Sequence, residues 1–309
     1  MPEKITVKQI REVSHLNSLD FFARQIVEGF ITGLHRSPFH GFSVEFAEHR
    51  AYNKGESVRF IDWKLYGRTG KLYVKRFEEE TNLRCQIVID TSSSMYFPVK
   101  SHTNKLQFSV YAAAAMIHLL NKQRDATGLS LFNDDLYFHT KARLSQPHIH
   151  KLYAMLDELL KASYNEKQQS GTQLSGVLHQ IAEATGKRSL VIIFSDMFEN
   201  NNREELYKAL EHLRYNKHEV VLFHVYDSRF EQSLQLENRP YKLIDMENGD
   251  TLKLRPQEVE AQYAHNINAF YEDVRAKCLQ YKTDFVPADI NSTFDQVLTS
   301  FLLHRKKMF

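Results

Sequence analysis

Four short, continuous apolar runs, Gln86 to Ile89, Gly128 to Phe132, Leu190 to Phe194 and Val220 to Val225, alternate with segments of helical period. A strand that is apolar at consecutive positions has no polar face, so it must be covered on both sides. The cover lies between the runs, where helical patterns span Asn104 to Asn121, Pro147 to Leu160, Thr172 to Ala184 and Arg203 to Tyr215. Strand and helix in alternation predict an α/β fold with a doubly wound, mostly parallel sheet of Rossmann type. Leu136 to His139, after Asn133-Asp134-Asp135, predicts an antiparallel edge hairpin. Tyr241 to Met246 and Thr251 to Leu254 flank Asn248-Gly249, which predicts a hairpin insertion near residues 240–254. A helix from about Pro256 to Gln280, a strand Thr283 to Val286 and a last helix from about Ser292 to Leu303 complete the pattern. The basic stretch His304 to Lys307 reads as a solvated end.

Upstream the texture differs. Leu19, Phe22, Ile26 and Phe30 recur at helical spacing and predict a helix from Ser18 to about Thr32. From Ser37 to Thr81, apolar fragments broken by Gly41, Gly55, Gly67 and Gly70 predict turns and short strands. The expected division of the 309 residues is therefore 1–82, a helix plus a basic, Gly-rich segment packed on the main domain, and 83–309, the α/β domain. The longest apolar stretches, Tyr111 to Leu120 and Val220 to Tyr226, fall well short of the ~20 residues that span a bilayer. Residues 1–10 lack the apolar core of a signal peptide, and Cys85 and Cys278 are far apart with no metal-ligand spacing. A cytoplasmic protein with no membrane partner is expected.

The chemistry collects at strand ends. The first buried strand runs into Asp90-Thr91-Ser92-Ser93-Ser94, a D-x-S-x-S pattern, and the third runs into Ser195-Asp196. Open α/β sheets bind ligands at the carboxyl ends of their strands. Gly171-Thr172 opens the helix between them and offers another hydroxyl. Two carboxylates and three hydroxyls are hard oxygen donors, suited to Mg2+ (or Mn2+/Ca2+) and unsuited to zinc or copper. The competing reading of each piece alone is a helix cap, in which Ser or Asp satisfies free backbone N–H groups. Three pieces in the right order on one α/β pattern favour the metal.

This arrangement resembles the metal-ion-dependent adhesion site of von Willebrand factor A domains, over roughly Arg84 to Leu303. Asp90, Ser92, Ser94, Thr172 and Asp196 match that motif residue by residue. The resemblance implies an ion with one position open to a carboxylate from a binding partner. Upstream, Arg50-Ala51-Tyr52, Gly55-Glu56, Arg59, Ile61-Asp62-Trp63, Arg68-Thr69-Gly70, Leu72 and Phe77-Glu78-Glu79-Glu80 resemble the signature of the bacterial family called domain of unknown function 58. Glu56-Ser57 departs from it, since members more often carry two Asp there. Members pair this segment with a von Willebrand factor A-like domain and are commonly encoded beside MoxR-type AAA+ ATPases. The resemblance thus implies a metal-dependent protein–protein interaction module whose partner is such an ATPase, or a client that it helps to assemble.

Charge sharpens one alternative. Overall the chain is nearly balanced, 40 basic against 38 acidic residues, which gives no whole-molecule reason to expect nucleic acid. Between Arg50 and Phe77, however, eight basic residues stand against Glu56 and Asp62. This segment is either a phosphate or nucleic-acid surface, with Trp63, Tyr66 and Tyr73 for stacking, or a structural knot of Arg59, Asp62, Trp63 and Arg68. An Asp and a Trp inside the cluster favour the knot. A metal-dependent hydrolase is the other alternative. No H-E-x-x-H, G-x-S-x-G or phosphate loop occurs, and no positioned base can be named, so an enzyme is not expected.

Overall fold

The computed structural model describes residues 18–34, 49–51, 63–75, 83–99, 103–164, 173–197 and 203–308. In chain order the elements are α1 (Leu19–Leu34), β1 (His49–Ala51), α2 (Trp63–Thr69), β2 (Tyr73–Lys75), β3 (Arg84–Asp90), α3 (Lys105–Lys122), β4 (Ala126–Phe132) and β5 (Leu136–His139). There follow α4 (Gln146–Lys161), α5 (Leu174–Ala184), β6 (Leu190–Ser195), α6 (Arg203–Tyr215), β7 (Glu219–Tyr226), β8 (Tyr241–Ile244), β9 (Thr251–Leu254), α7 (Pro256–Gln280), β10 (Thr283–Asp289) and α8 (Asp295–Met308). The elements β1, α2 and β2 belong to one compact unit, and α1 groups with the α/β elements in the other.

The main sheet has the order β10-β7-β6-β3-β4-β5. Its first five strands in that order pair in parallel, and β5 is the antiparallel edge strand anticipated from sequence. The α/β class with a mostly parallel sheet is therefore as the alternation requires. From β3 the chain moves outward through β4 and β5, then returns to the other side of β3 at β6 and continues to β7 and β10. The direction reverses between β3 and β6. Crevices at such switch points, outside the carboxyl ends of the strands, are where open α/β sheets hold ligands.

The strands read as continuous apolar runs because both faces are covered. Val88, Val191, Ile193, Val220 and Leu222 pack with α5, α6 and α7 side chains such as Leu178, Ile181, Leu206, Leu210 and Val274. On α3, Ala112 to Ile117 are all essentially inaccessible. Phe108 of α3 stacks on Phe294 just before α8, with ring centroids 4.9 Å apart, and Tyr111 meets Phe22 of α1 at 4.7 Å. Each fully buried side chain of this size contributes about 1.5–3 kcal/mol of transfer free energy, so the sheet and α3 dominate the stability of this unit.

Several boundaries differ from expectation for local reasons. β8 stops at Ile244, not Met246, because the Asp245 carboxylate accepts from the Glu247 and Asn248 amides and opens a longer turn, in which Gly249 takes φ +77°. β10 runs on through Pro287 to Asp289, which an edge strand tolerates. The last helix starts at Asp295 and continues through the basic stretch to Met308. Helix α2 was not anticipated; it ends where Gly70, at φ +64°, donates its amide to the Tyr66 carbonyl. Gly128 in β4 has no room for a side chain, since a Cβ would overlap Gln86 Oε1 and lie 2.5 Å from the Thr140 carbonyl. Among the described residues no helix is long and apolar enough to cross a membrane.

Candidate functional site

Asp90 is the last residue of β3 and Asp196 follows the last residue of β6; the two strands are neighbours, so both carboxylates stand at the switch point. Both are fully buried. Beyond Asp90 the chain turns through a short 3-10 helix, Ser93–Tyr96. The Ser92 amide donates to Asp90 Oδ1 at 2.9 Å, and the Ser92 and Ser94 hydroxyls lie 3.0 Å apart. Four of the five residues read from the sequence are thus brought to one strand edge. The fifth, Thr172, lies outside the described residues.

Ser195, which no motif marks, joins the two strands. Its hydroxyl donates to Asp90 Oδ2 at 2.8 Å and accepts from the Met197 amide at 2.9 Å. Both Asp90 oxygens therefore accept hydrogen bonds that favour the carboxylate. Burial and the neighbouring charge of Asp196 outweigh them and push the Asp90 carboxyl up to about 7.

Lys105, the first residue of α3, is buried, and its ammonium donates to Asp196 Oδ2 and to Glu231 Oε1, each at 2.6 Å. Asn104 caps the helix with its side chain on the Gln107 amide, and Gln107 returns the bond, which fixes Lys105 at the helix start. Glu231 sits in the short π-helical turn Ser228–Gln232 that follows β7, and its Oε2 accepts from the Asp227 amide at 2.7 Å. Burial alone would lower the Lys105 ammonium, yet the charges of Asp196 and Glu231 hold it above its ordinary value. Burial raises the Glu231 carboxyl, and Lys105 opposes that rise. Behind Asp196, His224 of β7 is enclosed by Tyr226, Tyr271 and Phe285, and burial drives its imidazole down to about 4.

The donor set is two carboxylates with serine hydroxyls at a buried strand edge. Its chemistry fits a hard divalent cation, which takes oxygen ligands and can retain water. Among the described residues no three His, Cys, Asp or Glu side chains converge on one point, so such an ion would rest on the two Asp, hydroxyls and water.

Of the upstream signature, Arg50 lies in β1, Trp63 opens α2 and Arg68 is exposed in its last turn. Tyr52, Gly55, Arg59 and Asp62 lie outside the described residues. Trp63, expected inside a buried knot, is 60% exposed, with its ring edge-on to Tyr66 at 6.1 Å.

The sequence profile described as "Protein of unknown function DUF58" matches residues 48–272. Uncharacterized protein Rv1480 of Mycobacterium tuberculosis is 24% identical over 214 residues, 69% of this chain and 65% of that protein. Uncharacterized protein Mb1516 of Mycobacterium bovis matches to the same extent, so the chain spans 65% of the length of these curated relatives. Among solved structures, the conserved hypothetical protein BatB from Bacteroides thetaiotaomicron aligns at TM-score 0.44 and 14% identity, over 74% of this chain and 100% of that one. The pilus adhesin SpaC from Lactobacillus rhamnosus GG aligns at TM-score 0.43 and 12% identity, over 73% and 30%. Likenesses of this size add nothing to the fold described above.

Proposed function

The chain belongs to the DUF58 family, and from that premise we propose that it is a divalent-metal-dependent protein–protein interaction module, of von Willebrand factor A-like type and non-enzymatic. Asp90, Ser92, Ser94, Thr172 and Asp196 hold Mg2+, and an acidic side chain of the partner completes its shell. The observation that carries this reading is the pair of fully buried carboxylates, Asp90 and Asp196, at the carboxyl ends of adjacent strands where the chain direction reverses. Two buried like charges are unfavourable by themselves, as the raised Asp90 carboxyl records. A divalent cation offsets both and leaves an electrophilic face toward a further carboxylate.

The partner is a MoxR-type AAA+ ATPase or a client protein that it matures, in keeping with the family resemblance of the upstream signature. Calorimetric titration of Mg2+ into the wild type and Asp90→Ala tests the site: binding by the wild type alone is expected, and equal binding by both sinks it. Co-purification with the ATPase in Mg2+, against chelator, tests the partner. An association that resists chelation and Asp90→Ala but falls steeply with salt would favour the basic segment as a phosphate or nucleic-acid surface instead.

A further inference from the structure

The β8–β9 hairpin is a ribbon of two four-residue strands, separate from the main sheet. Among the described residues each strand has one hydrogen-bonded neighbour, so each keeps a free edge. A two-stranded ribbon is marginally stable by itself, and a third strand or a packed face is what secures it. The register pairs Tyr241 with Leu254, Lys242 with Lys253, Leu243 with Leu252 and Ile244 with Thr251. Alternation then puts Tyr241, Leu243, Leu252 and Leu254 on one face, and Lys242, Ile244, Thr251 and Lys253 on the other. Neither face is fully covered: Leu243 is 37% exposed, Ile244 56% and Leu252 62%.

Charge identifies the occupant. Lys242 and Lys253 are exposed and directly opposed, an arrangement that costs stability because like charges meet across the strands. Ion pairs at the base of the hairpin hold Arg239 to Glu237 at 3.3 Å and Arg255 to Glu258 at 3.9 Å, and leave both lysines out. The acids of the hairpin, Asp245, Glu247 and Asp250, are confined to the turn, where the Asp245 carboxylate accepts from the Glu247 and Asn248 amides. Lysines beside a free edge also repel a second copy of that edge, which leaves a partner of opposite charge. We infer that the β8–β9 hairpin is a docking arm for an extended acidic segment of a partner protein, which joins it as a third strand. The backbone of that segment bonds the free edge, and its apolar side chains widen the face of Leu243 and Leu252. Its carboxylates lie beside one lysine and about 10 Å from the other. Because side chains alternate, the segment must itself alternate apolar and acidic residues. The arm shares no residue with the metal reading above and needs no ion.

The test follows fluorescein-labelled octapeptides binding to the full chain by fluorescence anisotropy. The probes are a peptide alternating valine and glutamate, one alternating valine and lysine, a block peptide with all valines before all glutamates, and the first peptide with N-methylated backbone amides. The wild type should bind the alternating acidic peptide equally in Mg2+ and in chelator, and should bind the block and N-methylated forms about tenfold more weakly. The double variant Lys242→Glu with Lys253→Glu, checked for folding by circular dichroism, should weaken the acidic peptide about tenfold and prefer the basic one. If that variant does not fold, the wild-type comparison of alternating, block and N-methylated peptides decides alone. No binding by the wild type, equal binding of the block peptide or equal binding by the charge-reversed variant overturns the inference. So does loss of binding on chelation, which would place the peptide at a cation instead. A wild type that sediments as a dimer, and as a monomer once Leu252→Ser is made, assigns the face to a second copy and overturns it too. Asp90→Ala should bind the peptide as the wild type does, so failure of the metal reading leaves this result untouched.

Discussion

The hydroxyl of Ser195 donates to Asp90 Oδ2 at 2.8 Å across a sequence separation of 105 residues, and so ties the end of β6 to the end of β3. Ser195→Ala removes this donor from a buried carboxylate and also leaves the Met197 amide without its acceptor. A loss of about 1–3 kcal/mol in urea unfolding is expected. Weaker Mg2+ binding should accompany it, because the Asp90 carboxylate is then harder to form. An unchanged unfolding midpoint would show that the bond adds nothing.

On the proposed metal reading, Asp90 makes cation binding sensitive to acid. Its carboxyl titrates at about 7 in the absence of an ion, so below that pH a proton must leave before a cation can bind. Mg2+ affinity should fall by about tenfold per pH unit below 7, with proton release measurable as a buffer-dependent heat. A flat affinity between pH 5.5 and 7.5 would count against Asp90 as a ligand.

His224 and Asp90 act on stability in opposite senses. The imidazole is depressed to about 4, so His224 contributes stability that is whole above the unfolded value near 6.5 and is lost as pH falls toward 4. Asp90 is raised, so its contribution is whole below its unfolded value of 3.8 and is lost as pH rises toward 7. The windows overlap, and the wild-type profile shows only their difference. His224→Phe, which keeps a ring among Tyr226, Tyr271 and Phe285, should therefore become more stable relative to wild type as pH drops from 6.5 to 4. The gain should reach about 3 kcal/mol in metal-free protein. Parallel profiles for the two proteins would rule it out.

Gly128→Ala should destabilise by about 1–3 kcal/mol, since the new methyl would press on Gln86 Oε1 and on the backbone of Thr140 and Ala142. Adding Gln86→Ala removes the side-chain clash but not the two backbone contacts, so only partial recovery of the melting temperature is expected. Full recovery would mean that the backbone there is free to move.

Much of the sheet was legible because its central strands are buried on both faces and must spell continuous apolar runs; β3, β4, β6 and β7 each extend the expected run by only one to three residues. Boundaries set by single side chains, such as the Asp245 turn, were not visible in periodicity. Neither was α2, whose seven residues are too few to display a period. At the site, Asp90, Ser92, Ser94 and Asp196 could be read because each is the terminus of a recognisable strand or the start of a turn. Lys105 could not, because a lysine at a helix start looks like an ordinary solvated charge. Its partner Glu231 lies 126 residues away in a polar turn, where nothing local marks it.

The order β6-β3-β4-β5 has a kinetic corollary. Asp90 and Asp196 become neighbours only after the excursion through β4, β5, α4 and α5 has closed and β6 has docked on the far side of β3. Contacts of such long range are formed late, once their loop-closure entropy has been met. An ion recruited there recognises the completed sheet and not its halves, so it should slow unfolding while leaving the folding rate nearly untouched. On the proposed reading, metal occupancy would then act as a latch on a finished molecule, closed only once β6 has docked.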